Sequence, residues 1–174
     1  MKDVFISKKV VYGSDKKTTN MEKFIVRKIR NRYILNKKMI QERIKVAAKF
    51  LSGKKILLYT KNRNLEEVVK NFAEALKIKY YIGRFLPGTL TNPQVDEYYE
   101  ADVLFVLNPK TDIRAIKEAS IAKVPVVAIC NSDDVTSNID LIIPGNNKQK
   151  SSISMILNLI LKNILPNIEI SELK

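Results

Sequence analysis

The 174-residue sequence contains no histidine, one cysteine and only five glycines. Without histidine, imidazole general-base chemistry is excluded, and so is the commonest protein ligand for transition metals. A lone cysteine cannot close an internal disulfide, and with no histidine beside it a zinc site is not expected. Cys130 lies in the apolar run 124–130 and reads as a buried small residue of a reducing compartment. The few glycines form neither G-x-G-x-x-G nor G-x-x-x-x-G-K-[ST], so the dinucleotide and P-loop fingerprints are missing. Long apolar runs are missing as well. The longest, 153–165, is interrupted by Asn158, Lys162 and Asn163 and is too short to span a bilayer. The first residues are charged and hold no apolar leader segment, so a cytoplasmic location is expected.

Acidic residues are also scarce: 18 Asp and Glu face 31 Lys and Arg, a formal net charge of +13. Such an excess in a small domain suits a polyanion, because many weak phosphate contacts release counterions and sum to useful affinity. Nucleic acid is expected ahead of an anionic membrane. An apolar content of 45% supports a globular core.

Residues 1–23 form a basic, polar lead-in with Lys8, Lys9, Lys16 and Lys17, expected to be an extended arm that orders on a partner. Residues 24–165 are expected to form a single α/β domain, and 166–174 a C-terminal tail. Phe24-Ile25-Val26 and Tyr33-Ile34-Leu35 flank Arg27, Lys28, Arg30 and Arg32, which predicts a hairpin with a cationic tip. Asn36 is placed to cap a helix carried by Ile40, Ile44, Ala47, Ala48 and Leu51, and Gly53 to end it. Leu65, Val68, Val69, Phe72, Ala73 and Leu76 have the offsets of a second amphipathic helix. The apolar runs 56–59, 80–82, 103–107, 126–129 and 141–143 read as strands buried on both faces, hence a parallel sheet with helices on each side. Ser151 or Ser152 is expected to begin the last helix. The connection 131–138 is too short for a crossover helix and must be irregular.

In an open α/β sheet, ligands favour the loops at the carboxyl ends of the strands. Those loops are 83–92, 108–112, 131–134 and 144–148. The first carries Gly83-Arg84-Phe85-Leu86-Pro87-Gly88-Thr89-Leu90-Thr91-Asn92-Pro93, in which Pro and Gly shape the backbone. Thr and Asn there either bond a ligand or close the turn. Asp133 and Asp134 offer carboxylates to a divalent ion, but no matching acid ends another strand, so a turn role is expected. Asp112 reads as a helix N-cap. Tyr80, Tyr81, Tyr98 and Tyr99 either stack on bases or divide between core and surface. No serine, lysine or acid pair has catalytic spacing.

The pattern G-R-F-x-P-G-T-L-T-N-P at 83–93, N-P-K-T-D at 108–112, P-V-V-A-I-C-N at 125–131 and N-I-D-L-I-I-P-G-N-N-K at 138–148 resembles the small-subunit ribosomal protein two family. M-E-K-F-I at 21–25, Y-I-L-N at 33–36 and R-I-K-V-A-A-K-F-L at 43–51 extend the likeness in the same order. The archaeal branch is the most similar; the eukaryotic, laminin-receptor-like members add an acidic tail. The resemblance implies a flavodoxin-like, doubly wound five-stranded sheet of order 2-1-3-4-5 without catalysis or cofactor. It also implies a place between head and body of the small subunit, with ribosomal RNA and neighbouring ribosomal proteins as partners, and neither a membrane nor a small-molecule substrate. Val11 and Asn108-Pro109-Lys110-Thr111-Asp112 depart from the family pattern, and lysine at 110 cannot make the bidentate phosphate fork of arginine. RNA contact is expected from Lys8, Lys9, Lys16, Lys17, Arg27, Arg30, Arg32, Arg84, Thr89, Thr91, Asn92, Lys110, Asn146, Asn147 and Lys148. The rival reading is a nucleotide- or phosphosugar-binding flavodoxin-like enzyme working from the same loops.

Overall fold

Strands whose side chains are apolar on both faces need cover on both, and the computed structural model, which describes residues 4–165, shows how each face obtains it. The chain opens with a single helical turn, α1 (Val4–Ser7), and a 3₁₀ turn at Thr19–Phe24. A hairpin follows, β1 (Ile25–Ile29) and β2 (Arg32–Leu35). Then come α2 (Lys37–Leu51), β3 (Ile56–Thr60), α3 (Glu66–Leu76) and β4 (Lys79–Ile82). The rest is β5 (Val103–Val106), α4 (Ile113–Ile121), β6 (Val126–Cys130), β7 (Leu141–Pro144) and α5 (Lys150–Ile164). The order β4-β3-β5-β6-β7 is parallel throughout, which in core-strand order is the flavodoxin-like 2-1-3-4-5.

The two faces are covered differently. Leu58, Phe105, Val127 and Ile129 meet α2, α3 and α5 through Ile44, Val69, Phe72, Ile156 and Ile160. The Phe72 and Phe105 rings sit edge to face, with centroids 6.1 Å apart. Leu57, Tyr59, Leu104, Val106, Ala128 and Cys130 face the other way, where α4 supplies only Ala115, Ile116 and Ala119. Neither the β4–β5 nor the β6–β7 connection contains a helix, so irregular chain completes this layer. Phe85 and Leu90 come from the loop after β4, and Met21 and Phe24 from the 3₁₀ turn. Phe85 stands edge to face with Tyr59 at 5.0 Å. Cys130 is buried, and burial pushes its thiol well above the usual range, leaving it inert.

The lead-in differs from the extended arm expected of it. Val10, Val11, Met21 and Phe24 are buried, and residues 5–23 are fastened to the domain. Thr18 donates its hydroxyl to the Asp134 carbonyl at 2.9 Å, and Ser132 donates its own to the Lys16 carbonyl at 2.9 Å. Val10 and Val11 join the core on the α2 and α5 side, and Met21 and Phe24 fill the room that the thin cover of α4 leaves on the other face. Gly13 permits the approach: a Cβ there would lie 2.8 Å from Ser132 Oγ and 3.0 Å from the Tyr33 carbonyl. The expected tail, 166–174, lies outside the described residues.

Local expectations divide. Asn36 caps α2, its Oδ1 accepting from the Lys38 and Met39 amides. The hairpin is present, but its strands run on to Ile29 and Arg32, so Arg27 and Lys28 sit on a strand and only Arg30 and Asn31 form the turn. Arg30 takes φ 52° there. α5 begins at Lys150 rather than at Ser151 or Ser152, with no side-chain cap. Among the described residues no helix is long and apolar enough to cross a membrane.

Candidate nucleic-acid interface

A parallel sheet points every carboxyl end the same way, which gathers the loops after β3, β4, β5, β6 and β7 along one edge. The chain runs from β3 outward to β4 and then back past β3 to β5, so the crevice of a doubly wound sheet opens at this reversal. A cleft of about 630 Å³ lies there, with Lys61, Arg63, Arg84, Lys110 and Arg114 around it. Among the described residues Lys61, Arg63, Arg84 and Arg114 have no ion-pair partner. Four uncompensated cations in one concavity make an anion-attracting field.

Beneath the cleft, Asp112 is fully buried and fastens two loops together. It accepts from the Lys61 amide at 3.0 Å, the Asn108 amide at 3.2 Å and the Thr111 hydroxyl at 2.9 Å. Burial raises its carboxyl to about 6 in spite of these bonds. The residue occupies the N-cap position of α4 but caps nothing, because its oxygens are turned toward the ends of β3 and β5. Tyr59 donates its hydroxyl to the Gly83 carbonyl at 2.8 Å and so holds the start of the next loop. Burial, helped by the Asp112 charge, pushes this phenol up to about 12, so it remains a neutral donor.

A second cleft, about 460 Å³, opens farther along the edge beside Gly13, Ser14, Arg32, Asn131, Asn146 and Lys148. Asp133 joins the two clefts by accepting from Lys110 of the first and from Lys148 of the second. Lys148 also donates to Ser14 Oγ at 3.1 Å. Burial works to raise the Asp133 carboxyl, but the two ammoniums outweigh it and hold the group below its ordinary value. Its neighbour Asp134 is buried and accepts from the Asn131 amide at 2.7 Å and from Asn147 Nδ2 at 2.6 Å. Burial raises that carboxyl. Asp134 takes the turn role expected of the pair, whereas Asp133 turns to the lysines of the two neighbouring loops. Among the described residues no three His, Cys, Asp or Glu side chains are grouped to hold a metal.

The predicted contact residues separate into presenters and holders. Arg84 and Lys110 line the first cleft, and Arg32, Asn146 and Lys148 the second. Thr89 is buried and gives its hydroxyl to the Leu86 carbonyl at 2.7 Å. Asn146 spends its amide on the Lys9 carbonyl at 3.2 Å and its oxygen on the Lys148 amide at 3.0 Å. Asn147 is buried between the Ile129 carbonyl and Asp134. Asn92 closes its own turn by accepting from the Gln94 amide at 3.1 Å. Lys17 pairs with Glu22. Lys9, Arg30 and Arg32 line a separate groove beside the hairpin. Lys8, Lys16 and Arg27 are exposed and line none of these clefts.

One decisive residue escaped the sequence reading. Glu118 of α4 accepts from the Gly88 amide at 3.0 Å, the Leu90 amide at 2.8 Å and the Thr91 hydroxyl at 3.3 Å. This carboxylate pins the Pro-Gly loop over the sheet, while Gly88 turns the chain at φ 98°. Nothing in the sequence marks it, since a glutamate in an amphipathic helix reads as solvated. Lys61, Arg63 and Arg114 were recognisable as basic groups, but only the strand order brings them together.

Of the seven tyrosines and six phenylalanines, Phe5, Phe24, Tyr59, Phe72, Phe85 and Phe105 are buried and the others half-buried. Several rings lie under cations: Lys28 over Tyr33 at 5.0 Å, Lys54 over Phe50 at 3.3 Å, Lys79 over Tyr81 at 5.4 Å. Tyr59 and Phe85, the two rings that line the first cleft, are buried, so that cleft offers charge rather than a platform on which bases could stack.

A family model described as Ribosomal protein S2 matches residues 5–101 and 94–166. The small ribosomal subunit protein uS2 of Ignicoccus hospitalis is 40% identical over 168 residues, covering 94% of this chain and 79% of that protein. The protein of the same name from Methanococcus maripaludis strain C5 is 36% identical over 169 residues, covering 95% of this chain and 77% of the relative.

Proposed function

This chain belongs to the Ribosomal protein S2 family, and from that premise we propose that it is a structural constituent of the small ribosomal subunit, seated between head and body, that grips ribosomal RNA along the carboxyl edge of its sheet. The observation that carries this reading is the cleft where Lys61, Arg63, Arg84 and Arg114 converge without acidic partners. RNA phosphates complete them. Lys110 and Lys148 extend the positive track across to the second cleft, each already oriented by Asp133.

The chemistry is backbone recognition. With the rings of the first cleft buried and the amides of Asn146 and Asn147 consumed inside the fold, sequence readout has few instruments left, and phosphate contacts set position and affinity. Thr89, Asn146 and Asn147 hold the loops that present the cations. The protein's role is structural, in the cytoplasm, within the ribosome.

Two measurements test this. The chain should co-sediment with the small subunit in a low-salt gradient. The free chain should also bind structured RNA with an affinity that falls steeply with salt: about five phosphates engaged imply a slope of log K against log salt of roughly −4 to −5. A chain that stays outside the subunit fraction, or whose RNA affinity ignores salt, contradicts the reading.

A further inference from the structure

Beside the carboxyl edge lies a third concavity of different chemistry. The groove between α1 and the β1–β2 hairpin has a volume of about 630 Å³ and is lined by Ile6, Lys9, Tyr12, Ile29, Arg30 and Arg32, with Ile34 in its floor. Tyr12 bridges to Ile34 and packs on the main core, so the floor is rigid. Ile6 and Ile29 stand on its walls with 51% and 42% of their surface in water. They are two of eight large aliphatic residues exposed among the described residues, and a third, Val26, lies on the same hairpin. Within the described residues β1 pairs only with β2, so its outer edge offers unpaired backbone groups. Lys9, Arg30 and Arg32 rim the groove without an ion-pair partner among the described residues, and no acid lines it.

We propose that this groove seats an acidic segment of a neighbouring small-subunit protein, with aliphatic side chains inserted between Ile6 and Ile29 and carboxylates on the Lys9–Arg30–Arg32 rim. The assignment rests on the ribosomal reading above. Charge alone would admit RNA as well, but isoleucine has neither a stacking face nor a donor to give a nucleotide, whereas a peptide's apolar side chains remove it from water. The open β1 edge lies across β2 from Tyr12, beside the groove rather than within it, so side chains hold the peptide. The carboxyl edge takes RNA and the hairpin side takes protein, and the two surfaces meet at Arg32, which lines both the second cleft and this groove.

The test places the photo-crosslinking residue p-benzoylphenylalanine at position 29 of the full chain, assembles it into small subunits, and identifies the products by mass spectrometry. The expected product is a crosslink to a protein segment of net negative charge that carries Val, Ile or Leu. That segment, made as a synthetic peptide, should bind the free wild-type chain and bind the Ile6→Ser/Ile29→Ser chain at least tenfold more weakly, while both chains bind structured RNA equally. Crosslinks to RNA alone, no crosslink from assembled subunits, or equal peptide binding by the two chains would overturn the proposal. In the first two of these the chain is in the subunit and the ribosomal reading stands. A chain absent from the subunit sinks both.

Discussion

Replacing Glu118 probes whether the Pro-Gly loop is held by its own sequence or by the helix beneath it. In Glu118→Ala the Gly88 and Leu90 amides, bonded at 3.0 and 2.8 Å in the wild type, lose a charged acceptor in a partly buried place. Hydrogen bonds to charged groups contribute about 1.5–3 kcal/mol each, and the more exposed Thr91 hydroxyl adds little, so a loss of about 3 kcal/mol is expected. For a chain of this size that lowers the midpoint of thermal unfolding by roughly 6–12 °C. Glu118→Gln keeps an oxygen at the shared acceptor position but no charge, and should cost only about 1 kcal/mol. Urea unfolding followed by circular dichroism gives the stabilities, and hydrogen exchange at Gly88 and Leu90 gives the local effect. If both variants lie within about 0.5 kcal/mol of wild type with unchanged protection at those amides, the loop is held by something other than Glu118.

Arg84→Ala should leave unfolding unchanged, weaken binding to structured RNA severalfold and reduce the salt slope by about one, as a titration at several salt concentrations reports. Asp112, raised to about 6, carries its carboxyl proton more readily in the folded state than in the unfolded one. Its contribution is therefore fully present below about pH 4 and is lost as pH rises toward 6, by about 3 kcal/mol. Asp112→Asn should flatten that part of the stability-versus-pH curve, and parallel curves for the two proteins would contradict it. Val69→Asp buries an unpaired charge at a position with no exposed surface, and the chain should fail to give a cooperative unfolding transition. Gly145→Ala places a Cβ 2.5 Å from Ile156 Cδ1, the tip of a flexible side chain, and should cost about 1–3 kcal/mol by denaturant unfolding.

The strands were legible because β3, β5 and β6 are buried on both faces and therefore read as unbroken apolar runs. α2 and α3 were legible from their periodicity. Strand order was not, since it depends on pairings such as Leu57 with both Lys79 and Leu104 that no local pattern encodes; it came from the family resemblance. The second face was hidden for a related reason. Phe85, Leu90, Met21 and Phe24 cover it without any period, so the loop looked like a ligand site and the lead-in like an arm. At the interface, Arg84 and Lys110 could be named from the sequence. The inward use of Thr89, Asn146 and Asn147 could not, because a hydroxyl or amide after a strand has the same signature whether it meets a ligand or a carbonyl.

The anchoring of the lead-in also sets a clock. Thr18 waits for Asp134, and Lys16 for Ser132, across 116 residues of intervening chain. Asn146 reaches Lys9 across 137. At a synthesis rate of about 5–20 residues per second, Met21 and Phe24 remain without their pocket for roughly ten seconds after they are made. Residues 11–14 pair early, with β2, whereas residues 16–18 are secured only once Ser132 and Asp134 exist, so a nascent chain stopped short of Asp134 has its lead-in half fastened.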